Sequence, residues 1–325
     1  MSERIFSGIQ PTGNIHVGNY LGAVKNWVQL QEKYDCLFCI VDYHSVTVAY
    51  DPEGLEERVL DATATNIAAG LDPEKSIIFA QSLVPEHTEL AWLLTCLTSV
   101  GALERMTQFK EKAARQESIF AGLMNYPILM AADILLYKAG LVPVGEDQLQ
   151  HLELSRDLAR RFNSTFREYF PEPKPLLTSG ARVMGLNDPS SKMSKSLEGS
   201  YIGLADEEDL IKQKIRRAVT DPGPQGGKMG PGVANLFTLL EGFADPDVVN
   251  YFKRQYAQQS LMYSELKESL AAAMNTKIAP IREKRRELLA KPEKVKDILY
   301  AGAEQARQIA QRTMSEVRQL MGFRI

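Results

Sequence analysis

The sequence predicts an α/β fold: a Rossmann-like parallel sheet with helices on both faces, followed by a helical C-terminal domain. Two observations predict it. Short apolar runs of strand length alternate with helix-period patterns through the first half of the chain, the layout of βαβ units. After about residue 205 the strand signal stops and amphipathic helical patterns continue. A chain of 325 residues is long enough for two domains.

Taken in order, residues 5–9 read as a strand, and Pro11, Gly13 and Gly18 mark the turn after it. Tyr20, Val24, Trp27, Val28 and Tyr34 then fall at helical spacing, and 37–41 is the next strand. Asp51-Pro52 reads as an N-cap with proline at the first helical position, ahead of an apolar stripe (Leu55, Val59, Leu60, Ile67, Ala68) that Gly70 terminates. Residues 77–80 form a short buried strand. Helices are expected over 89–103 and 126–137, the second irregular at Pro127. The run 141–144 leads into Gly145 and a helix from Asp147, and 181–184 closes the half. Beyond 205, acids at 206–209 precede Lys212, Lys214, Arg216 and Arg217, the charge order that suits a helix dipole. A Gly/Pro-rich loop spans 221–232, and 292–321 reads as one long amphipathic helix.

Composition narrows the classes. Lys plus Arg number 38 and Asp plus Glu 41, a net charge of -3, so a nucleic-acid partner would need a local basic face. No apolar run has the roughly 18 residues of a membrane span, and the N-terminus carries no apolar leader core, so a cytoplasmic protein with no membrane partner is expected; DNA is not expected as a partner either. Cys36 and Cys39 have C-x-x-C spacing, but they sit in a strand-like run where residues three apart face opposite sides. A metal or disulfide is therefore not expected there.

Four segments carry chemistry. Gln10-Pro11-Thr12-Gly13-Asn14-Ile15-His16-Val17-Gly18-Asn19 joins a strand to a helix. Backbone N–H groups at such a helix start favour anions, Gly18 permits close approach, and His16 and Asn19 are one turn apart. The plainer alternative is a glycine-rich turn with His16 on the surface. Lys192-Met193-Ser194-Lys195-Ser196 offers two lysines interleaved with hydroxyls, between Pro189, Ser190 and Ser191 on one side and Gly199 on the other. Such a loop can clamp phosphates, or simply be a solvated basic loop. Gly145-Glu146-Asp147-Gln148 opens a helix; Asp147 could accept from ribose hydroxyls, or the segment could be a capping cluster. Finally, Asp133 lies inside an apolar helix, where a carboxylate is costly without a partner.

Together the first two segments resemble the His-Ile-Gly-His and Lys-Met-Ser-Lys-Ser signatures of class I aminoacyl-tRNA synthetases. The second matches letter for letter; the first has Asn19 where the signature has its second histidine. Bacterial tryptophanyl-tRNA synthetases are similar in having Gly-Asn-Tyr at that point. Residues 40–44 and 103–112 also resemble segments of that family, which places Lys112 near the ATP phosphates.

The resemblance implies a tryptophan–tRNA ligase: tryptophan activated with ATP to the adenylate, then transferred to tRNA(Trp). It implies His16, Asn19, Lys112, Lys192 and Lys195 as catalytic groups. ATP would also meet Gln10, Pro11, Thr12, Gly18, Gly145, Glu146, Asp147, Val183, Met193, Ser194 and Ser196. Tryptophan would lie against Asp133, Phe6, Gln10, His44, Tyr126, Met130 and Gln148, with Asp133 accepting the indole N–H. Mg2+ would bridge the phosphates, with no metal site of the protein's own, and family members are homodimers. The expected division is a catalytic domain over 1–188, the signature loop and linker over 189–205, a helical anticodon-binding domain over 206–290, and a C-terminal helix over 291–325 that could pack back on the catalytic domain. The basic run 282–286 could face tRNA or be a solvated helix face. A tyrosyl-tRNA synthetase shares fold and signatures, and a small-molecule nucleotidyltransferase of the superfamily would lack the tRNA step.

Overall fold

The computed structural model describes residues 3–107, 109–110, 120–177, 182–195, 197, 199–221 and 229–324. Strand β1 (Arg4–Ile9) leads into a short helix α1 (Val17–Asn19), one π turn (Tyr20–Val24) and α2 (Lys25–Leu30). There follow β2 (Asp35–Ile40), α3 (Asp42–Ser45), α4 (Leu55–Ala68), β3 (Ser76–Ala80), α5 (Glu86–Thr95), α6 (Val100–Glu104), α7 (Ala121–Leu136), β4 (Leu141–Val144), α8 (Leu149–Thr165) and β5 (Lys174–Leu177). Only helices come after that among the described residues: α9 (Glu208–Arg217), α10 (Pro231–Phe243), α11 (Pro246–Ala257), α12 (Tyr263–Leu289) and α13 (Pro292–Leu320).

All the strand pairs are parallel, in the order β3-β2-β1-β4-β5. The chain leaves β1 toward β2 on one side and later returns to β4 on the other. The carboxyl ends of β1 and β4 therefore flank a topological switch point, where open α/β sheets bind ligands.

Two apolar layers cover the sheet. Phe6, Leu37, Cys39 and Phe79 pack with α5, α7 and α8 on one face; Ile5, Cys36, Phe38 and Ile78 pack with Val24 and Trp27 on the other. Cys36 and Cys39 thus face opposite sides, as period-two alternation requires. A third cluster is built by the later helices (Ile215, Leu240, Leu270, Ile278), and it takes in Ile15, Val17, Val183 and Met193. Both signature segments are therefore seated on the helical part of the chain. The last helix, α13, buries Ala303, Ala306, Ala310, Met314 and Val317 in the first layer. It comes so close to β3 that a Cβ on Gly302 would lie 1.9 Å from the Ile78 carbonyl oxygen.

Several elements depart from the sequence reading. Asp51 does not cap α4; its carboxylate accepts from the backbone N–H groups of Glu53 and Gly54 in a turn, and the helix starts at Leu55. The helix expected over 89–103 breaks between Thr95 and Val100. Hydroxyls of Thr95 and Thr98 bond back to the carbonyls of Ala91 and Leu94, and Ser99 is extended. The sheet ends in an outer strand β5 at Lys174–Leu177 that the sequence reading did not mark, and Met184 forms an isolated bridge to Lys192. Among the described residues, no helix is long and apolar enough to cross a membrane.

Candidate active site

The turn after β1 and the basic signature meet at the switch point. Lys195 Nζ donates to the carbonyls of Gly13 at 2.9 Å and Thr12 at 3.3 Å. Val17 N–H donates to Ile202 O at 2.9 Å, and Leu204 N–H to Ile15 O at 2.9 Å, so the chain after the signature pairs beside His16. On the other side Met193 N–H donates to Val183 O at 3.0 Å. Val183 and Met193 are buried in the same cluster as Val17.

His16 is buried, not on the surface as the plainer reading allowed. Its Nδ1 accepts from the Asn19 backbone N–H at 3.3 Å, and the Asn19 side-chain oxygen accepts from the His16 N–H at 3.3 Å, a reciprocal cap. Gly18 makes room for this ring: a Cβ there would stand 3.0 Å from it. Burial, then the charges of Lys195 and Lys192, push the His16 pKa down to about 4. The ring is neutral at pH 7. With Nδ1 accepting, its proton is on Nε2, where it can be donated to an anion. Burial lowers the Lys195 amine to about 8, against a smaller upward pull from Asp61.

The Gly145–Gln148 segment follows β4 across the crevice. Burial alone would raise the Asp147 pKa; the hydrogen bond from Gln148 Nε2, at 3.0 Å, and the charge of Lys192 lower it on balance. Gly145 and Glu146 are exposed beside it, and Gln10 and Thr12 are exposed on the facing turn with Pro11 buried beneath. Lys112 and Ser196 lie outside the described residues.

Asp133 faces inward from α7 and is 1 % exposed. Where the sequence suggested one substrate donor, the protein itself supplies three. Gln81 Nε2 donates to Oδ1 at 2.7 Å, His87 Nδ1 lies 2.6 Å from the same oxygen, and His44 Nε2 lies 2.8 Å from Oδ2. Burial pulls the Asp133 pKa up, but the bonds from His44 and His87 overcome it and hold the carboxyl at about 2. The His44 helix is fixed by Asp42, which accepts from Ser82 N–H at 2.9 Å. Phe6 stacks on Tyr137 with centroids 5.5 Å apart, and Tyr126 OH is 2.9 Å from His151 Nε2. Met130 is partly buried against the same layer.

Gln81, His87 and Tyr137 were not singled out by sequence. A signal existed: the chain has four histidines, and His16, His44, His87 and His151 are all buried. The basic run 282–286 is partly engaged in ion pairs and hydrogen bonds, while Lys284 and Arg286 stay exposed. Arg285 makes a 2.6 Å ion pair with Asp61 of α4, Arg282 donates to Asp206 O at 2.7 Å, and Arg286 pairs with Glu283 and Glu207. The run ties α12 to the rest of the chain.

A parallel sheet of this order, with a glycine turn and a lysine loop joined over its switch point, fits the class I aminoacyl-tRNA synthetases that the two signatures resemble. The family model described as tRNA synthetases class I (W and Y) matches residues 2–278. The chain belongs to that family. It is 47% identical to the tryptophan–tRNA ligase of Clostridium tetani, over 99% of this chain and 96% of the relative. Its fold is similar to the tryptophanyl-tRNA synthetase of Mycoplasma pneumoniae (TM-score 0.90, 36% identity, 99% of this chain and 98% of that one). It is also similar to that of Campylobacter jejuni solved with ADP and tryptophan (TM-score 0.87, 37% identity, 98% and 99%).

Proposed function

We propose that this chain activates L-tryptophan with ATP and transfers it to tRNA(Trp). In the first step a tryptophan carboxylate oxygen attacks the α-phosphorus; the new O–P bond forms as the bond to pyrophosphate breaks. In the second the 2′-OH of the terminal adenosine attacks the adenylate carbonyl and AMP leaves. The observation that carries this reading is the seat of Lys195 on the Thr12–Gly13 turn, which holds a half-buried cation beside neutral His16. No side-chain nucleophile is needed; positioning and charge stabilisation do the work.

In this reading His16 Nε2–H, Asn19, Lys192 and Lys195 meet the phosphates, with Lys112 and Ser196 completing the set. Gln10, Pro11, Thr12, Gly18, Gly145, Glu146, Asp147, Val183, Met193 and Ser194 line the nucleotide. Mg2+ would be held mainly by the ATP phosphates and would neutralise part of their charge. Tryptophan lies toward Asp133, with Phe6, Gln10, His44, Tyr126, Met130 and Gln148 around it. Residues 206–290 take the anticodon arm, and the chain works as a homodimer in the cytoplasm. Trp92 (67 % exposed), Val100 (61 %) and Phe120 (72 %) are large apolar side chains left exposed on the single chain, which supports cover by a second copy.

The test is pyrophosphate exchange with tryptophan and with tyrosine, followed by charging of tRNA. Tryptophan-dependent exchange and charging are expected. Equal exchange with tyrosine, or exchange without charging, overturns the reading.

A further inference from the structure

We propose that His87 is the positioning residue that decides which lone pair of Asp133 is left for the substrate. The inference rests on the reading that tryptophan binds at Asp133, and it adds a mechanism for selectivity that the buried carboxylate alone does not contain.

His87 is fully buried, with Nδ1 2.6 Å from Asp133 Oδ1 and Nε2 2.7 Å from Tyr137 OH. An ionised carboxylate only accepts, so Nδ1 must carry a hydrogen. In the tautomer that carries its hydrogen on Nδ1, Nε2 is an acceptor, and the Tyr137 hydroxyl donates to it. Burial raises the Tyr137 pKa well above its usual value, so the phenol keeps that proton. Phe6, stacked on the Tyr137 ring at an interplanar angle of 9°, limits its rotation. The result is a one-way relay: Tyr137 donates to His87, and His87 donates to Asp133.

The lone pairs of Asp133 can then be followed. Oδ1 receives His87 Nδ1–H and Gln81 Nε2–H, which saturates it. Oδ2 receives His44 Nε2–H at 2.8 Å, and of the two acceptor positions on that oxygen one is left. It lies on the His44 side, where the Tyr126 ring meets His44 edge-on at 6.3 Å. A donor-only indole N–H matches one leftover acceptor. A ring without N–H would leave it desolvated and unpaired, which costs more than the missing contact. Without the bond from His87, the carboxylate can rotate and Oδ1 as well as Oδ2 becomes available to water, so the site reads the ring less strictly.

The experiment compares tryptophan with the isostere in which sulfur replaces the ring N–H, by pyrophosphate exchange. His87→Asn keeps an amide donor near the Nδ1 position; His87→Gln moves it to the Nε2 position. His87→Asn is expected to keep most of the discrimination. His87→Gln should lose roughly ten- to hundred-fold of it through the tryptophan KM, with the KM for ATP within about two-fold. Tyr137→Phe should lose on the order of three- to ten-fold, and it carries the decision if either variant at 87 folds poorly. Equal discrimination in the two variants at 87, or an unchanged Tyr137→Phe, overturns the proposal. Asp133→Asn separates the levels. If it discriminates like wild type, the tryptophan reading of Asp133 itself fails; if it loses discrimination while the variants at 87 match each other, only the role of His87 fails.

Discussion

Lys195 donates through its Nζ to the backbone carbonyl of Gly13 at 2.9 Å, across 182 residues of sequence. One side chain thereby ties the lysine signature to the turn that carries His16. The bond goes to carbonyls that a cation prefers in the absence of a stronger anion, so a phosphate entering the turn competes for the same ammonium.

Removing that ammonium should slow chemistry more than it weakens amino-acid binding. Lys195→Ala is expected to lower the rate of adenylate formation by roughly 10² or more, with a smaller change in tryptophan affinity. Rapid-quench measurement of adenylate formation reads both, and an unchanged rate rejects the assignment.

The Lys195 amine, lowered to about 8 by burial, sets a pH dependence. Below that value it is charged and can stabilise leaving pyrophosphate; above it the charge is lost. The kcat/KM for ATP should therefore fall as pH rises through about 8, the free-enzyme value. Lys195→Arg, which stays protonated, should move this limb upward. A profile identical in the two proteins would assign the limb to another group.

Asp133 should govern amino-acid choice. An apolar pocket alone separates similar rings by only about 1–3 kcal/mol. Asp133→Ala is expected to raise the tryptophan KM and to narrow the gap to phenylalanine. Exchange assays of both proteins with both ligands close a double-mutant cycle. A coupling energy near zero would show that the carboxylate does not read the ring.

The Arg285–Asp61 pair is partly buried between α12 and α4, so breaking it should cost stability before it costs tRNA binding. Arg285→Ala is expected to lower stability by up to about 3 kcal/mol, whereas Arg286→Ala, at an exposed pair, should cost about 1 kcal/mol or less. Urea unfolding of the two variants compares them directly. Equal losses would mean that burial of the pair contributes nothing.

Gly302 is fixed by the Ile78 carbonyl that its missing Cβ would meet at 1.9 Å. Gly302→Ala forces α13 away from β3 and should cost roughly 1–3 kcal/mol, in spite of the better helix propensity of alanine. A thermal midpoint at or above that of the parent chain would show that the helix shifts without penalty.

The segments contiguous in sequence were the legible ones. The Gln10–Asn19 turn, the Lys192–Lys195 loop and the Gly145–Gln148 helix start each bring their polar groups with them, and alternation of strand and helix periods marked the sheet. Strand β5 escaped because its four residues, Lys174-Pro175-Leu176-Leu177, form an edge strand with a proline and mostly exposed side chains, so no buried alternation announced it. Asp133 stood out as a charge in an apolar helix, but its donors come from three other elements. Gln81 follows β3, His44 is on α3 and His87 opens α5; nothing in their local sequence tells which carboxylate they will face. Pairing of Arg285 with Asp61 was hidden for the same reason: charge patterns along one helix do not show what lies across it.

The fit of α13 onto β3 also orders events during synthesis. Ile78 leaves the ribosome early, together with the sheet it belongs to, while the helix that covers it is among the last segments to emerge. Until residues 292–320 are made, the apolar surface that receives Ala303, Ala306, Ala310 and Met314 has no cover. The nascent chain must carry that surface through most of its translation, a natural foothold for a chaperone. A ribosome that stalls before codon 302 leaves a protein whose glycine turn and lysine loop are already complete but whose hydrophobic interior is still open to water.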